Sequence, residues 1–179
     1  MHRLFVALRP PGPVRAQLLA LMGGVPGARW QDEDQLHITL RFIGAVETRV
    51  AEDIALALSN VHAAPLTLAL DGVGSFGARG RPNALWAGLR PHDAAAELHK
   101  KVDHALVRAG LEPERRAYLP HVTLARFSSG AAADVDPFLR MHAALASAPF
   151  TLDHLLLFES HLGRERARYS AVGRFALRG

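Results

Sequence analysis

Two segments of this chain nearly repeat each other. His37-Ile38-Thr39-Leu40-Arg41-Phe42 is echoed by His121-Val122-Thr123-Leu124-Ala125-Arg126-Phe127. Each opens on histidine, continues with a β-branched residue, threonine and leucine, and reaches an Arg-Phe pair shortly after. Alternate residues of a strand point to opposite faces, so His37 and Thr39 share one face while Ile38 and Leu40 share the other. His121 and Thr123 follow the same rule. Two such strands facing across a groove would offer two imidazoles and two hydroxyls to one ligand, each backed by an apolar face that a helix can cover. With ten histidines and five threonines in 179 residues, chance gives His-x-Thr about 0.3 times, yet it occurs twice, both times before leucine. The bland alternative is a pair of core strands, but each imidazole buried without a partner would cost about 1–3 kcal/mol.

Around these segments the chain reads as interspersed strands and helices. Residues 3–8 form a strand ended by Pro10-Pro11-Gly12-Pro13, and Val14, Leu18, Leu21 and Met22 recur at helical spacing up to Gly23-Gly24. A strand over 35–43 stops at Gly44, and Val50, Ile54, Leu58 and Val61 mark one face of a second helix. Strands over 65–73 and 83–90 flank a glycine- and arginine-rich loop, Gly72 to Arg81. A helix over 93–109 ends at Gly110, a strand covers 118–127, and an alanine-rich helix lies near 134–146. Strands over 150–159 and 166–177 close the chain, separated by a turn with Gly163. Several strands follow one another with no helix between them, which favours an α+β fold with antiparallel pairing over a doubly wound parallel sheet. No low-complexity linker divides residues 1–179, so the expectation is one domain of two lobes.

Composition narrows the chemistry. There is no cysteine, which excludes thiolate catalysis, disulfides and cysteine-ligated zinc, and suits a cytoplasmic protein. The apolar run before Arg9 is too short for a signal peptide, and no stretch is long and apolar enough to span a membrane, so the chain reads as soluble and unexported. The net charge of +4 is carried by arginine, with Lys100 and Lys101 the only lysines. Arginine's planar fork suits phosphate, although codon bias accounts for the composition equally well.

Two imidazoles suit attack on phosphorus with departure of an alcohol. One takes a proton from the nucleophile and the other gives one to the leaving oxygen; histidine titrates near pH 6.5, so the pair can be half-protonated near neutrality. The threonine hydroxyls and a cation would hold the non-bridging phosphate oxygens. Neither metal nor cofactor is needed.

The chain resembles the two-histidine (2H) phosphoesterase superfamily, and within it the RNA 2′,3′-cyclic phosphodiesterases also called 2′-5′ RNA ligases. The likeness runs from Arg3-Leu4-Phe5-Val6-Ala7-Leu8 through Trp30 and Leu36-His37-Ile38-Thr39-Leu40 to Phe42-Ile43-Gly44. It continues with Leu85-Trp86-Ala87-Gly88, Pro120-His121-Val122-Thr123-Leu124-Ala125-Arg126, Leu157-Phe158-Glu159-Ser160, Leu162-Gly163 and Tyr169. The resemblance implies a bilobal α+β fold, two pseudo-repeated antiparallel sheets flanked by helices around a central groove. It implies hydrolysis of 2′,3′-cyclic phosphate RNA ends to 2′-phosphates; the same steps run backwards give weak 2′-5′ ligation, and a metal-independent monomer is the expectation. By carry-over His37 protonates the departing 3′-oxygen, His121 activates water, and Thr39, Thr123 and Arg126 hold the phosphate. Strict alternation opposes one of these assignments: it turns Arg126 away from His121 and puts Arg41 beside His37. A bulge or strand end near Ala125 would reconcile them.

Other signals carry less. His99 and His104, five apart on a helix, have the wrong offset for a shared metal and read as solvated. Gly72, Gly74, Gly77 and Gly80 lack the Lys-Ser/Thr helix of a phosphate loop and read as a mobile loop at the groove rim. Phe42, Phe76, Trp30 and Tyr169 read as packing residues that could also stack a base. Rival readings are a phosphodiesterase for 2′-5′ linked oligonucleotides or small cyclic nucleotides, and a non-catalytic RNA-end binding module.

Overall fold

Five consecutive buried residues, Leu4 to Leu8, anchor one half of the molecule. The computed structural model describes all residues, 1–179. Strand β1 (His2–Leu8) is buried on both faces: Leu4, Val6 and Leu8 join the main core, while Phe5 and Ala7 face a smaller cluster with Leu156 and Phe158. It lies between β3 (Ile38–Val46) and β8 (His154–His161), and β9 (Arg168–Ala176) extends the sheet beyond β8. The other half centres on β5 (Arg81–Arg90), between β4 (Leu66–Ala78) and β6 (His121–Arg126), with the short strands β7 (Phe150–Leu152) on β4 and β2 (Arg29–Trp30) on β6. Every pairing is antiparallel.

The halves meet where Ile38 of β3 pairs with Val122 of β6. That contact falls one residue after each motif histidine, so the repeated segments lie side by side along the seam. Helices α1 (Gly12–Leu21), α2 (Thr48–Ser59) and α3 (His92–Arg108) bury Leu18, Ile54, Leu58, Leu98, Val102 and Leu106 against Leu40, Leu85, Leu89 and Leu124. Apolar residues at i, i+3 and i+4 supply that stripe. The groove-facing side of the seam is left to the polar members of the motifs.

Some elements depart from their sequence reading. β4 and β5 form a hairpin reaching Ala78 and Arg81, so Gly72 to Arg81 is strand and tight turn rather than loop. The glycines there serve close approach: a Cβ on Gly74 would fall 2.2 Å from the Trp86 ring. β3 passes through Gly44, whose φ of 89° is open to glycine, and continues to Val46. The helix near 134–146 is reduced to α4 (Asp136–Met141), and the strand over 150–159 is split at Asp153 into β7 and β8. Gln35, read as the start of a strand, instead ends a 3-10 turn over Glu33–Gln35 that Asp32 and Gln35 close.

Candidate active site

The antiparallel Ile38–Val122 register sets His37 across from Thr123 and His121 across from Thr39. Ile38, Val122 and Leu124 are fully buried and Leu40 nearly so, whereas the two histidines and two threonines keep partial exposure toward the groove. Each imidazole is held the same way: Nδ1 of His37 lies 2.7 Å from the Gln35 carbonyl, and Nδ1 of His121 lies 2.7 Å from the Leu119 carbonyl. A carbonyl only accepts, so Nδ1 carries hydrogen in both rings and Nε2 is the atom free to take or give a proton.

Their surroundings differ. His37 packs on Phe5 at 4.9 Å between ring centroids, with Tyr169 edge-on at 5.4 Å. His121 meets Phe76 edge-on at 5.0 Å and Trp86 at 6.1 Å. Burial pushes the His37 imidazole down to about 4; the Gln35 carbonyl pulls it up, and the charges of Arg126 and His121 push it down. His121 is lowered for the same reasons, burial first, then partly offset by the Leu119 carbonyl, with Arg126 lowering it further. Arg126 therefore acts on both rings.

Its position follows from a bulge. Leu85 of β5 pairs with Ala125 while Trp86 pairs with Thr123, leaving Leu124 as the extra residue on β6. Leu124 and Ala125 are consequently both buried, and Arg126 returns to the face of His121 and Thr123. β3 carries the equivalent shift: Val6 pairs with Arg41 and Ala7 with Thr39, leaving out Leu40. Arg41 does not stay on the His37 face, as strict alternation has it. Its Nε donates to Asp103 of α3 at 2.7 Å, and its other nitrogens bond the carbonyls of Phe42 and Glu112. Phe42 takes the position in β3 that Arg126 holds in β6, half exposed and 6.0 Å from Phe5. One half of the site thus presents a cation where the other presents an aromatic ring.

His99 is another residue the sequence misplaced. Rather than solvated, its ring stacks on Tyr118 at 4.3 Å and 3°, and its Nδ1 donates to the Leu40 carbonyl at 2.6 Å. The Tyr118 hydroxyl donates to the Thr39 carbonyl at 3.1 Å. Together they hold the bulged backbone of the first motif; nothing in the spacing of His99 and Tyr118 signals this. His104 is exposed, as read. A cavity of about 240 Å³ opens beside His121, lined also by Thr39, Phe42, Phe76, Arg116 and Tyr118. No three His, Cys, Asp or Glu side chains are grouped so that they could hold a metal ion.

A folded groove with paired imidazoles, paired hydroxyls and an arginine can exchange protons on either side of an anion. Residues 13–164, which hold both motifs, match the 2′-5′ RNA ligase superfamily, and the chain belongs to it. It is 33% identical over 157 residues to an RNA 2′,3′-cyclic phosphodiesterase of Geobacillus stearothermophilus, covering 87% of this chain but 49% of that protein, so the chain spans about half the length of that relative. It is 29% identical over 180 residues to the RNA 2′,3′-cyclic phosphodiesterase of Escherichia coli K12, covering 98% of this chain and 97% of the relative. The crystal structure of E. coli LigT complexed with 3′-AMP superposes with a TM-score of 0.78 at 27% identity, over 98% of both chains.

Proposed function

We propose that this protein hydrolyses 2′,3′-cyclic phosphate ends of RNA to 2′-phosphates, with His37 and His121 as the acid–base pair and Thr39, Thr123 and Arg126 on the phosphate. The observation that carries this reading is the matched presentation of two Nε2 atoms, each ring fixed by a carbonyl two residues upstream, in a groove of the superfamily whose relatives bear that activity. In the reaction a water oxygen bonds phosphorus as the bond to the 3′-oxygen breaks. One imidazole takes the water's proton and the other supplies a proton to the 3′-oxygen, leaving a 2′-phosphate and a free 3′-hydroxyl. The hydroxyls and guanidinium hold the non-bridging oxygens as charge shifts among them. The aromatic cavity beside His121 takes the terminal nucleoside, Phe42 and Phe76 offering faces for its base.

The resemblance assigns the acid to His37 and the base to His121. Burial makes His37 hard to protonate in the free protein, which weighs against that order until an anionic phosphate sits beside it and raises it. Reverse 2′-5′ ligation uses the same proton transfers and competes with water. A monomer acting in the cytoplasm fits a site drawn from a single chain without cysteine, and no helix is long and apolar enough to cross a membrane.

An oligonucleotide ending in a 2′,3′-cyclic phosphate, incubated with the protein in EDTA, is expected to turn over to a product resistant to enzymes that need a 3′-phosphate. His37→Ala and His121→Ala should each lower kcat/KM by roughly 10²–10⁴. On a substrate whose 3′-leaving group has a much lower pKa, only the variant lacking the acid should recover. No turnover, or turnover that requires added zinc or magnesium, refutes the proposal.

A further inference from the structure

Arg29 and Arg126 are direct partners across the β2–β6 pair. Residues facing each other in this way have neighbouring side chains on one face, and like charges so placed repel. Both side chains are exposed, and neither meets a carboxylate; Arg29 reaches only the hydroxyl of Ser128, at 3.3 Å. Arg166, the third cation nearby, is neutralised by Asp32. The two guanidinium groups, neither in an ion pair, line a cavity of about 700 Å³ together with Arg166, Asp32, Glu165 and Tyr169. Tyr169 stands against His37, so this cavity adjoins the reacting centre and is distinct from the aromatic one beside His121. A water molecule attacking phosphorus needs nothing of this size. Two planar cations without a carboxylate partner, in a cavity where three arginines face two carboxylates, are placed to share an anion.

We propose that Arg29 binds the phosphodiester preceding the cyclic end, with Arg126 shared between that group and the reacting phosphate. This rests on the proposed function and adds the part of the strand it reads. The influence of Arg126, but not of Arg29, on both histidines agrees with Arg29 standing one phosphate further out.

The test compares three substrates at fixed ionic strength: a nucleoside 2′,3′-cyclic phosphate, a dinucleotide with the same cyclic end, and that dinucleotide with a neutral methylphosphonate linkage. The wild-type protein should prefer the charged dinucleotide over the mononucleotide by about tenfold or more in kcat/KM, and the methylphosphonate should forfeit most of that preference. Arg29→Ala should forfeit it too, with no further loss on the methylphosphonate, and Arg29→Lys should keep part of it. The salt dependence of log kcat/KM on the dinucleotide should become shallower by about 0.7 in Arg29→Ala, the share of one single-strand phosphate contact. Full preference in Arg29→Ala, or equal use of the methylphosphonate by the wild-type protein, overturns the inference. Equal use of mononucleotide and dinucleotide overturns it while leaving the proposed function standing. Hydrolysis of neither ends both.

Discussion

At the scale of single residues, the two motif histidines share a hydrogen-bonding scheme and the causes that lower them, but not their aromatic neighbours. Both donate Nδ1–H to a carbonyl, and both are depressed by burial and by Arg126. A depressed histidine binds fewer protons folded than unfolded. Stability is therefore full above the unfolded value of about 6.5 and is lost as pH falls toward the folded value of about 4. His37 is expected to cost up to about 3 kcal/mol over that window, less to the extent that water reaches its ring. Denaturant titrations at pH 7 and pH 4.5 should show this loss, and His37→Phe should remove much of it; an unchanged pH slope in that variant would refute the assignment. Under the proposed function, the same depression moves the bell of kcat/KM to the acid side, since one ring must hold a proton while the other lacks one. The profile should peak below pH 6.5, and a plateau from pH 7 to 9 would count against an acid–base pair.

At the scale of elements, the bulges decide what each motif presents. Leu40 and Leu124 are the extra residues in β3 and β6, and each resets the alternation so that the third residue after threonine faces the groove. That residue is Phe42 in one strand and Arg126 in the other. The first bulge is braced from outside its own strand, by Tyr118 on the Thr39 carbonyl and His99 on the Leu40 carbonyl. Removing one such donor leaves a carbonyl without its partner, at about 1 kcal/mol or somewhat more. Tyr118→Phe should therefore cost about that in stability and raise KM, through Thr39 and Phe42, with little change in the pH profile. His99→Asn keeps a donor near Nδ1 and should do less harm than His99→Phe, which keeps only the stack. If His99→Phe matches the wild-type protein in KM and kcat, the brace has no part in positioning the motif. Both motifs were legible as strands from their own residues, whereas strict alternation misplaced Arg41 and Arg126, because a bulge belongs to a pair of strands and not to one.

At the scale of the whole molecule, neither half of the chain owns a half of the fold. β1, near the start, is zipped to β8, near the end, through Leu4–Glu159 to Ala7–Leu156. β4, from before the second motif's half, pairs with β5 and with β7. We therefore propose that residues 1–179 unfold as one cooperative unit. Trp30 and Trp86 both report on the β2–β5–β6 side, while Leu8 lies in β1 on the other side and is fully buried. Leu8→Ala should cost about 2–5 kcal/mol and lower the midpoint seen by tryptophan fluorescence as far as that seen by far-ultraviolet circular dichroism. Two separated transitions would mean that the lobes are independent.

What the sequence determined by itself was whatever depends on near neighbours along the chain. The period-two pattern of His-x-Thr-Leu fixed which faces of β3 and β6 are polar, the apolar stripes fixed α1 to α3, and the repeated motif pointed to paired halves around a groove. The tertiary structure alone decided what depends on pairing across the chain. The glycines from Gly72 to Gly80 lie in a hairpin, where pairing with β5 brings the Trp86 ring into the space above Gly74. The two-residue strand at Arg29 and Trp30 is too short to carry a pattern, and it exists because β6 offered an edge to it. That pairing sets Arg29 beside Arg126, a juxtaposition separated by most of the sequence and produced by backbone hydrogen bonds that no local spacing encodes.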